Sequence, residues 1–498
     1  MRRTRLAALA VRLSAAASML FGNRQEGRIQ AANVDTLRER IRRRLEEMPL
    51  GLAPLLIAGM GLVAGLYLLV HPVRTRQADL TMWVFGPLHA DAYEAAAEGF
   101  AAETGRVVDV QLINYNAVNQ KLRSALWAAV NIPDLVEIEK GAAGGFFRGP
   151  RDKVGFLDLK PFLERDGILG RIPANALATY TDRGAIFGIP HDIHPVLLAY
   201  RADIVDPYLA KRGLRMEDLA TWDDYFRELK GLLVPQERYL LQIEHGDAWA
   251  FQLFLMQRGG GIFGPGGALR MDDEIAVQTM TWMIPLVAEA GEKQVAASLG
   301  NWDAAYYRGL IEGYYIAVLC PDWRSSQLQT FARDLHGKMR LAPLPAPAPG
   351  GLRTSQSGGT MLGIARTAGD PELAWRFARE IYYGSPQQHG RLFRTTNILT
   401  PDRRAWSDPA FHEKRPYWGN QVLGEQYIAQ ADAVPPFYSS GFLPTAIAKL
   451  NEAMVACYGR YRDHGPDGFE SYVRGRLKSA ADYVRGQMAR EPDWDAGG

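Results

Sequence analysis

The sequence predicts an α/β protein built on a parallel sheet, set behind a single N-terminal transmembrane helix. Two observations carry this. Residues 80–138 alternate short β-rich runs with helical periodicity, and strand–helix–strand units at that spacing need right-handed crossovers. Gly51 to Val70 (GLAPLLIAGMGLVAGLYLLV) runs 20 residues without a charge. The full length of 498 residues exceeds what one core organises and predicts two or three folded units. A composition of 47% hydrophobic and 22% charged residues is globular and excludes a disordered chain.

Residues 1–80 carry 13 Lys+Arg against 6 Asp+Glu, which leaves 44 against 49 for the remainder. The positive charge belongs to the N-terminal tail, and a mildly acidic body argues against a nucleic-acid partner. Two cysteines, Cys320 and Cys457, make no disulfide framework. Neither follows an N-terminal apolar run, so no lipid-anchor cysteine is visible, and the sequence leaves their pairing open.

As a helix, residues 51–70 span roughly 30 Å, the thickness of a bilayer core. Arg38, Arg40, Arg42, Arg43 and Arg44 precede them and only Arg74 and Arg76 follow closely. The positive-inside rule then places the tail 1–50 in the cytoplasm and the body outside. The run is too long and begins too late for a cleaved signal. A second apolar stretch, 6–22, is broken by Arg12; it fits a surface-lying amphipathic helix, a plain helix or a misassigned start. The connector 71–79 reaches at most about 30 Å when extended, which holds the body beside the membrane.

In the body, LTMWVF (80–85) is the first strand. Asp91 is placed to cap the next helix, with Ala92, Ala96 and Phe100 on one face, and Gly105 stands as its stop. VVDVQLI (107–113), the helix 116–130 and DLVEI (134–138) follow. Ligands of such sheets gather at the carboxyl ends of the strands, here Phe85 to His89, Asn114 to Asn116 and Glu137 to Lys140. Helices are predicted over 222–233, 248–257, 371–382 and most of 445–489. Arg258 to Gly267 (RGGGIFGPGG) lacks the Lys-Ser/Thr of a phosphate cradle and reads as a bare turn. Leu341 to Gly351 (LAPLPAPAPGG) is a hinge or linker candidate.

Six segments in order resemble the family 1 extracellular solute-binding proteins, which include maltodextrin- and arabinose-oligosaccharide-type binders. They are TMWVFGPLHADAYEAAAEGFAAETGRVVDVQLI, NIPDLVEIE, AIFGIPHDIHPVLLAYRADI, TWDDY, EGYYIAVLCPDW, and the stretch ending SQSGGTMLGIARTAGDPELAWRFAREI. The match covers about residues 80–400; the tail is looser, and the membrane helix departs from the lipid anchor or cleaved signal usual in that group. The resemblance implies a two-lobed periplasmic-binding-protein-like α/β fold with a hinge, closing on a solute between the lobes. Lobe one is expected at 80–192 plus 358–400 and lobe two at 193–343 plus 401–498, with crossings near 190–195 and 344–357. It implies small-molecule carbohydrate as ligand and ABC permease subunits as partners.

His191 and His194 invite a metal reading, but i and i+3 in an extended strand face opposite ways, so no metal or cofactor is assigned. Asp192 and His194 share a face, and by resemblance position 194 contacts solute; a hinge hydrogen bond is the plainer role for either. Trp323 matches the family's sugar-stacking tryptophan, whose indole face packs on a sugar's C–H face, with Asp322 beside it. Phe85, His89, Tyr115 and Glu139 follow strands one to three; sheet-edge packing, or a solvated carboxylate for Glu139, explains them equally. Tyr438 falls where the family supplies an aromatic from lobe two. Gly358 and Gly359, after Ser357, offer backbone N–H groups to a ligand or freedom to a hinge. The pairs Tyr306-Tyr307, Tyr314-Tyr315 and Tyr382-Tyr383 raise a ferric-ion binder, since related iron binders use neighbouring tyrosines, although core or surface packing suits them better.

No HExxH, GxSxG elbow or Walker lysine is present, so no catalytic residue is assigned. A membrane-anchored glycosidase would need two carboxylates about 5–10 Å apart, and nothing local marks such a pair. A glycerol-phosphate binder, for which Arg324, Lys140 and Arg148 are available, and a sensor-type binding module remain as alternatives to sugar capture for an importer.

Overall fold

A computed structural model describes residues 57–63, 65, 78–147, 150–301 and 303–490. The chain divides into two compact units, Met1–Arg76 and Gln77–Gly498. In the first, 57–63 and 65 are helical and exposed. The rest of the expected span 51–70, the apolar stretch 6–22 and the basic tail lie outside the described residues. Among the described residues no helix is long and apolar enough to cross a membrane.

The elements of the second unit that frame the site run β1 (Leu80–Val84), α1 (Pro87–Thr104), β2 (Val108–Leu112), α2 (Tyr115–Ala128), β3 (Leu135–Glu139), β4 (Ile189–Pro190), β5 (Val196–Arg201), α3 (Ala248–Gln257), α4 (Ala304–Glu312), β6 (Ala317–Pro321), α5 (Asp322–Phe331), β7 (Met339–Pro343), β8 (Thr360–Ile364), α6 (Pro371–Tyr383), α7 (Leu443–His464) and α8 (Phe469–Met488). Helix α1 begins four residues before the expected cap. Pro87 takes the first turn, where its fixed φ suits the helix and its missing N–H is no loss, and Asp91 lies inside it. The stop is where the sequence puts it: Gly105 adopts φ 73° and its N–H returns to the Ala101 carbonyl.

Two sheets organise the unit. The first has the order β2-β1-β3-β8-β4. β1 runs parallel to β2 and β3, while β8 is antiparallel to β3 and β4. The second is β6-β5-β7, with β5 antiparallel to both neighbours. β5 (VLLAYR) is buried throughout, as a strand covered on both faces must be. Val196, Leu198 and Tyr200 pack toward α3, α7 and α8. Leu197 and Ala199 face the other way, toward Phe393, Leu399, Phe411, Trp418 and Tyr427. In the first sheet Leu80, Met82 and Val84 pack against α1 and α6, and Trp83, Val136 and Ile138 against α2.

β4 belongs to the first sheet and β5 to the second, so the chain passes over at 191–195. It returns between β7 and β8. Residues 432–442 also touch the first half: Asn175 Nδ2 donates to the Val434 carbonyl at 2.7 Å, Thr179 Oγ1 to that of Phe437 at 2.9 Å, and the Gly144 N–H to Ser439 Oγ at 3.1 Å. Both cysteines are free and buried. Cys320 and Cys457 sit in different cores, which answers the open question of their pairing.

Candidate functional site

The carboxyl ends of the first sheet bring together more charge than an ordinary core holds. Glu137 is fully buried. It accepts hydrogen bonds from the Tyr93 and Tyr382 hydroxyls, both at 2.8 Å, and lies 3.2 Å from His89 Nδ1. Burial opposes the charge of both partners. Glu137 is nevertheless held below the usual carboxylate range by His89, His191 and its hydrogen bonds, and His89 is raised by Glu137. The His89 ring lies 4.4 Å from that of His191, at the start of the first passage.

That passage is irregular from 191 to 194, and this overturns the expected opposite-facing histidines. Both rings converge on Asp192: His191 Nδ1 is 3.0 Å from Oδ2, and His194 Nε2 is 3.2 Å from Oδ1. On its other side His194 Nδ1 meets Asp322 Oδ1 at 2.5 Å. The remaining acceptor capacity is met by backbone. The Thr360 N–H reaches Asp192 at 3.0 Å, while those of Trp323 and Leu399 reach Asp322 at 2.7 Å each. Burial works against a charged His194, but the two carboxylates outweigh it and raise its pKa to about 10. Asp192 is held far below its usual value despite burial, by His194 and His191.

A wall of aromatic and glycine residues adjoins this pair. Trp323 is half-buried, with its indole N–H on the Ser357 carbonyl at 2.9 Å; the Trp249 indole donates to Ser357 Oγ at the same distance. The buried Arg324 guanidinium backs both rings, 4.9 Å from the Trp323 centroid and 5.4 Å from that of Trp249. Gly358 and Gly359 take φ 95° and 142°. A Cβ on Gly358 would stand 2.8 Å from both His194 Cδ2 and Trp323 Nε1, and one on Gly359 2.9 Å from Lys140 Cδ. Only glycine fits here. Lys140 is buried with Nζ 4.2 Å over the Phe437 ring, and burial lowers it to about 8 against the pull of Glu139. Glu139 accepts the Gly141 N–H at 2.7 Å. Phe85 and the exposed Tyr115 pack edge to face at 5.5 Å, and burial with the Glu139 charge pushes the Tyr115 phenol up to about 12.

A family model for bacterial extracellular solute-binding proteins matches residues 95–414, more than half of the chain. The chain belongs to this family. The solute-binding protein is 24% identical over 349 residues to the arabinooligosaccharide-binding protein of Bacillus subtilis strain 168, covering 69% of this chain and 78% of that one. It is 23% identical over 397 residues to the arabinooligosaccharide-binding protein of Halalkalibacterium halodurans, covering 78% and 86%. Among solved structures, the sugar-binding protein MalE of Xanthomonas citri superposes with a TM-score of 0.66 at 18% identity, covering 82% of this chain and 99% of that one. These likenesses give the two-lobed α/β fold, and the two sheets above are the cores of its lobes.

In this solute-binding protein Phe85, Tyr115 and Glu139 form one group at the strand ends. Asp192, His194, Trp323 and Gly358 form another at the passages, and Lys140 and Gly359 connect the two. His89 and Glu137 adjoin the second group through His191, which contacts both His89 and Asp192. Tyr438 is not brought to His194. It borders a small cavity of about 80 Å³ with Met256, Ile262 and Phe263, and its neighbour Phe437 makes the contact to Lys140 instead. Reasoning from sequence named Glu137 only as part of a strand end and Tyr382 only in a tyrosine pair, and it missed Tyr93 and Trp249 as site residues. Glu137 carried a signal, an acidic residue between the apolar Leu135-Val136 and Ile138 of a central strand. Trp249, in the apolar helix AWAFQLFLMQ, carried none.

Proposed function

We propose that the protein is a membrane-anchored binder that captures a sugar or short oligosaccharide between its lobes and hands it to an ABC-type permease, with no chemistry on the ligand. We place lobe one at about 80–192 and 358–385 and lobe two in the rest of the body, since Phe393 and Leu399 pack in the core of the second sheet. The observation that carries the reading is Trp323. Its ring is half-buried, fixed by Ser357 and backed by Arg324, at the point where both passages meet. A rigid indole face beside fixed carboxylates suits a ligand with apolar C–H faces and many hydroxyls. Phe85, Tyr115, Glu139, Asp192, His194, Gly358 and Gly359 are the accompanying contacts we assign. The two relatives named for arabino-oligosaccharides support this class. Around the same point Glu139, Asp192 and Asp322 are matched in number by Lys140, His194 and Arg324, so no surplus of positive charge favours a phosphate ester over a neutral sugar.

The test is thermal unfolding of the full chain with sugars, polyols and phosphate esters. A ligand with Kd near 1 μM, supplied at 100 μM, should add about 2.7 kcal/mol of stability. Trp323→Ala should weaken the responding sugar without unfolding the protein. A shift from phosphate esters alone, or unchanged affinity in the variant, would overturn the assignment.

A further inference from the structure

Between α4 and α5 runs an open groove of about 660 Å³, within the range of roughly 300–1,000 Å³ typical of ligand pockets. We propose that this groove is a second carbohydrate contact, holding the outer units of an oligosaccharide whose inner units lie against Trp323. The inference rests on the sugar-binding reading of the interlobe site and extends it to chain length.

The groove's floor is aromatic. Phe331 is 59% exposed, unusual for a phenylalanine, and its ring lies 5.1 Å from that of half-buried Tyr307 at 46°. Around it stand Asp303, Arg308, Gln327 and Asp334. The Tyr307 hydroxyl donates to Gln327 Oε1 at 3.2 Å, which leaves the amide Nε2 as a donor for a ligand hydroxyl. Asp303 spends Oδ1 on capping α4 through the Tyr306 N–H; the carboxylates accept hydroxyl protons and Arg308 donates. Apolar ring faces with nearly balanced, mixed donors and acceptors favour a neutral polyhydroxylated ligand over an ion.

Along α5 the partly exposed Trp323 and Gln327 and the exposed Phe331 follow one another at successive turns, from the interlobe site into the groove. Trp323 and Phe331 stand eight residues apart on one helix, about 12 Å of rise. A short oligosaccharide reaches both.

Calorimetry on the full chain with arabino-oligosaccharides of two to six units decides it. Phe331→Ala should weaken the five- and six-unit chains about tenfold, equivalent to ~1.4 kcal/mol, and leave the disaccharide unchanged; Gln327→Ala should act the same way less strongly. Both variants are surface changes and should melt within about 2 °C of the parent. Trp323→Ala should weaken every length. If Phe331→Ala matches the parent at all lengths, or loses affinity equally at all of them, the groove is not a saccharide contact while the interlobe site stands. If Trp323→Ala binds like the parent yet Phe331→Ala still loses the long chains, the interlobe reading fails and the groove stands. No heat with any saccharide overturns both.

Discussion

His194 shows how a single side chain can join two lobes. Its two nitrogens reach carboxylates 130 positions apart in the chain, Asp192 and Asp322, so one imidazolium neutralises a charge from each side of the passage. Its folded pKa near 10 against about 6.5 in the unfolded chain sets the direction of the pH effect. The stabilisation is complete below about pH 6.5 and is lost as pH rises toward 10. Lys140 acts in the opposite direction, because its lowered value near 8 eases a burial penalty over the same alkaline range. The difference between the parent and His194→Gln therefore isolates the histidine. Urea unfolding should show the parent's advantage over the variant shrinking between pH 6.5 and 10; an advantage constant across that range would remove the ion pair from the account. His194 and Trp323 could be picked out in the sequence because the segments around them resemble those of the solute-binding family, and Asp192 because it lies two residues from His194. Their mutual arrangement could not. It depends on an irregular passage at 191–194 and on Asp322 arriving from another sheet, neither of which local periodicity encodes.

At the scale of elements, the strands and helices of the first sheet were legible to within a few residues, since β-rich runs, helical spacing and Gly105 are local signals. The start of α1 was not, because Pro87 and Asp91 both invite a helix start and the proline wins. The turn before β8 makes a sharper test of what glycine does. Gly105 and Gly358 both have positive φ, but a Cβ at Gly105 meets nothing within 4 Å, whereas at Gly358 it meets His194 and Trp323 at 2.8 Å. Gly105→Ala should cost about 1 kcal/mol from backbone strain alone and leave ligand affinity intact. Gly358→Ala should cost more, roughly 2–3 kcal/mol, and weaken sugar binding as well, because Trp323 must move. Chemical denaturation with ligand titration on the two variants separates these effects. Equal behaviour in both assays would mean that the crowding at 358 is relieved elsewhere.

For the whole molecule, the apolar run 51–70 and the connector after it predict that the full chain sediments with membranes and that a variant lacking 51–70 does not. Recovery of the intact chain in the soluble fraction would remove the tether. What holds the lobes together is chemically mixed. The His194 bridge is ionic, while residues 432–442 meet the first lobe through a backbone amide, a threonine hydroxyl and an asparagine amide, none of which titrates or carries a formal charge. Small counterions gather around exposed charges and leave neutral contacts alone, and His194 and its partners are shielded from them by burial. A binder built this way would grip its cargo equally well in dilute and in brackish surroundings, so its dissociation constant should stay level from low to high sodium chloride.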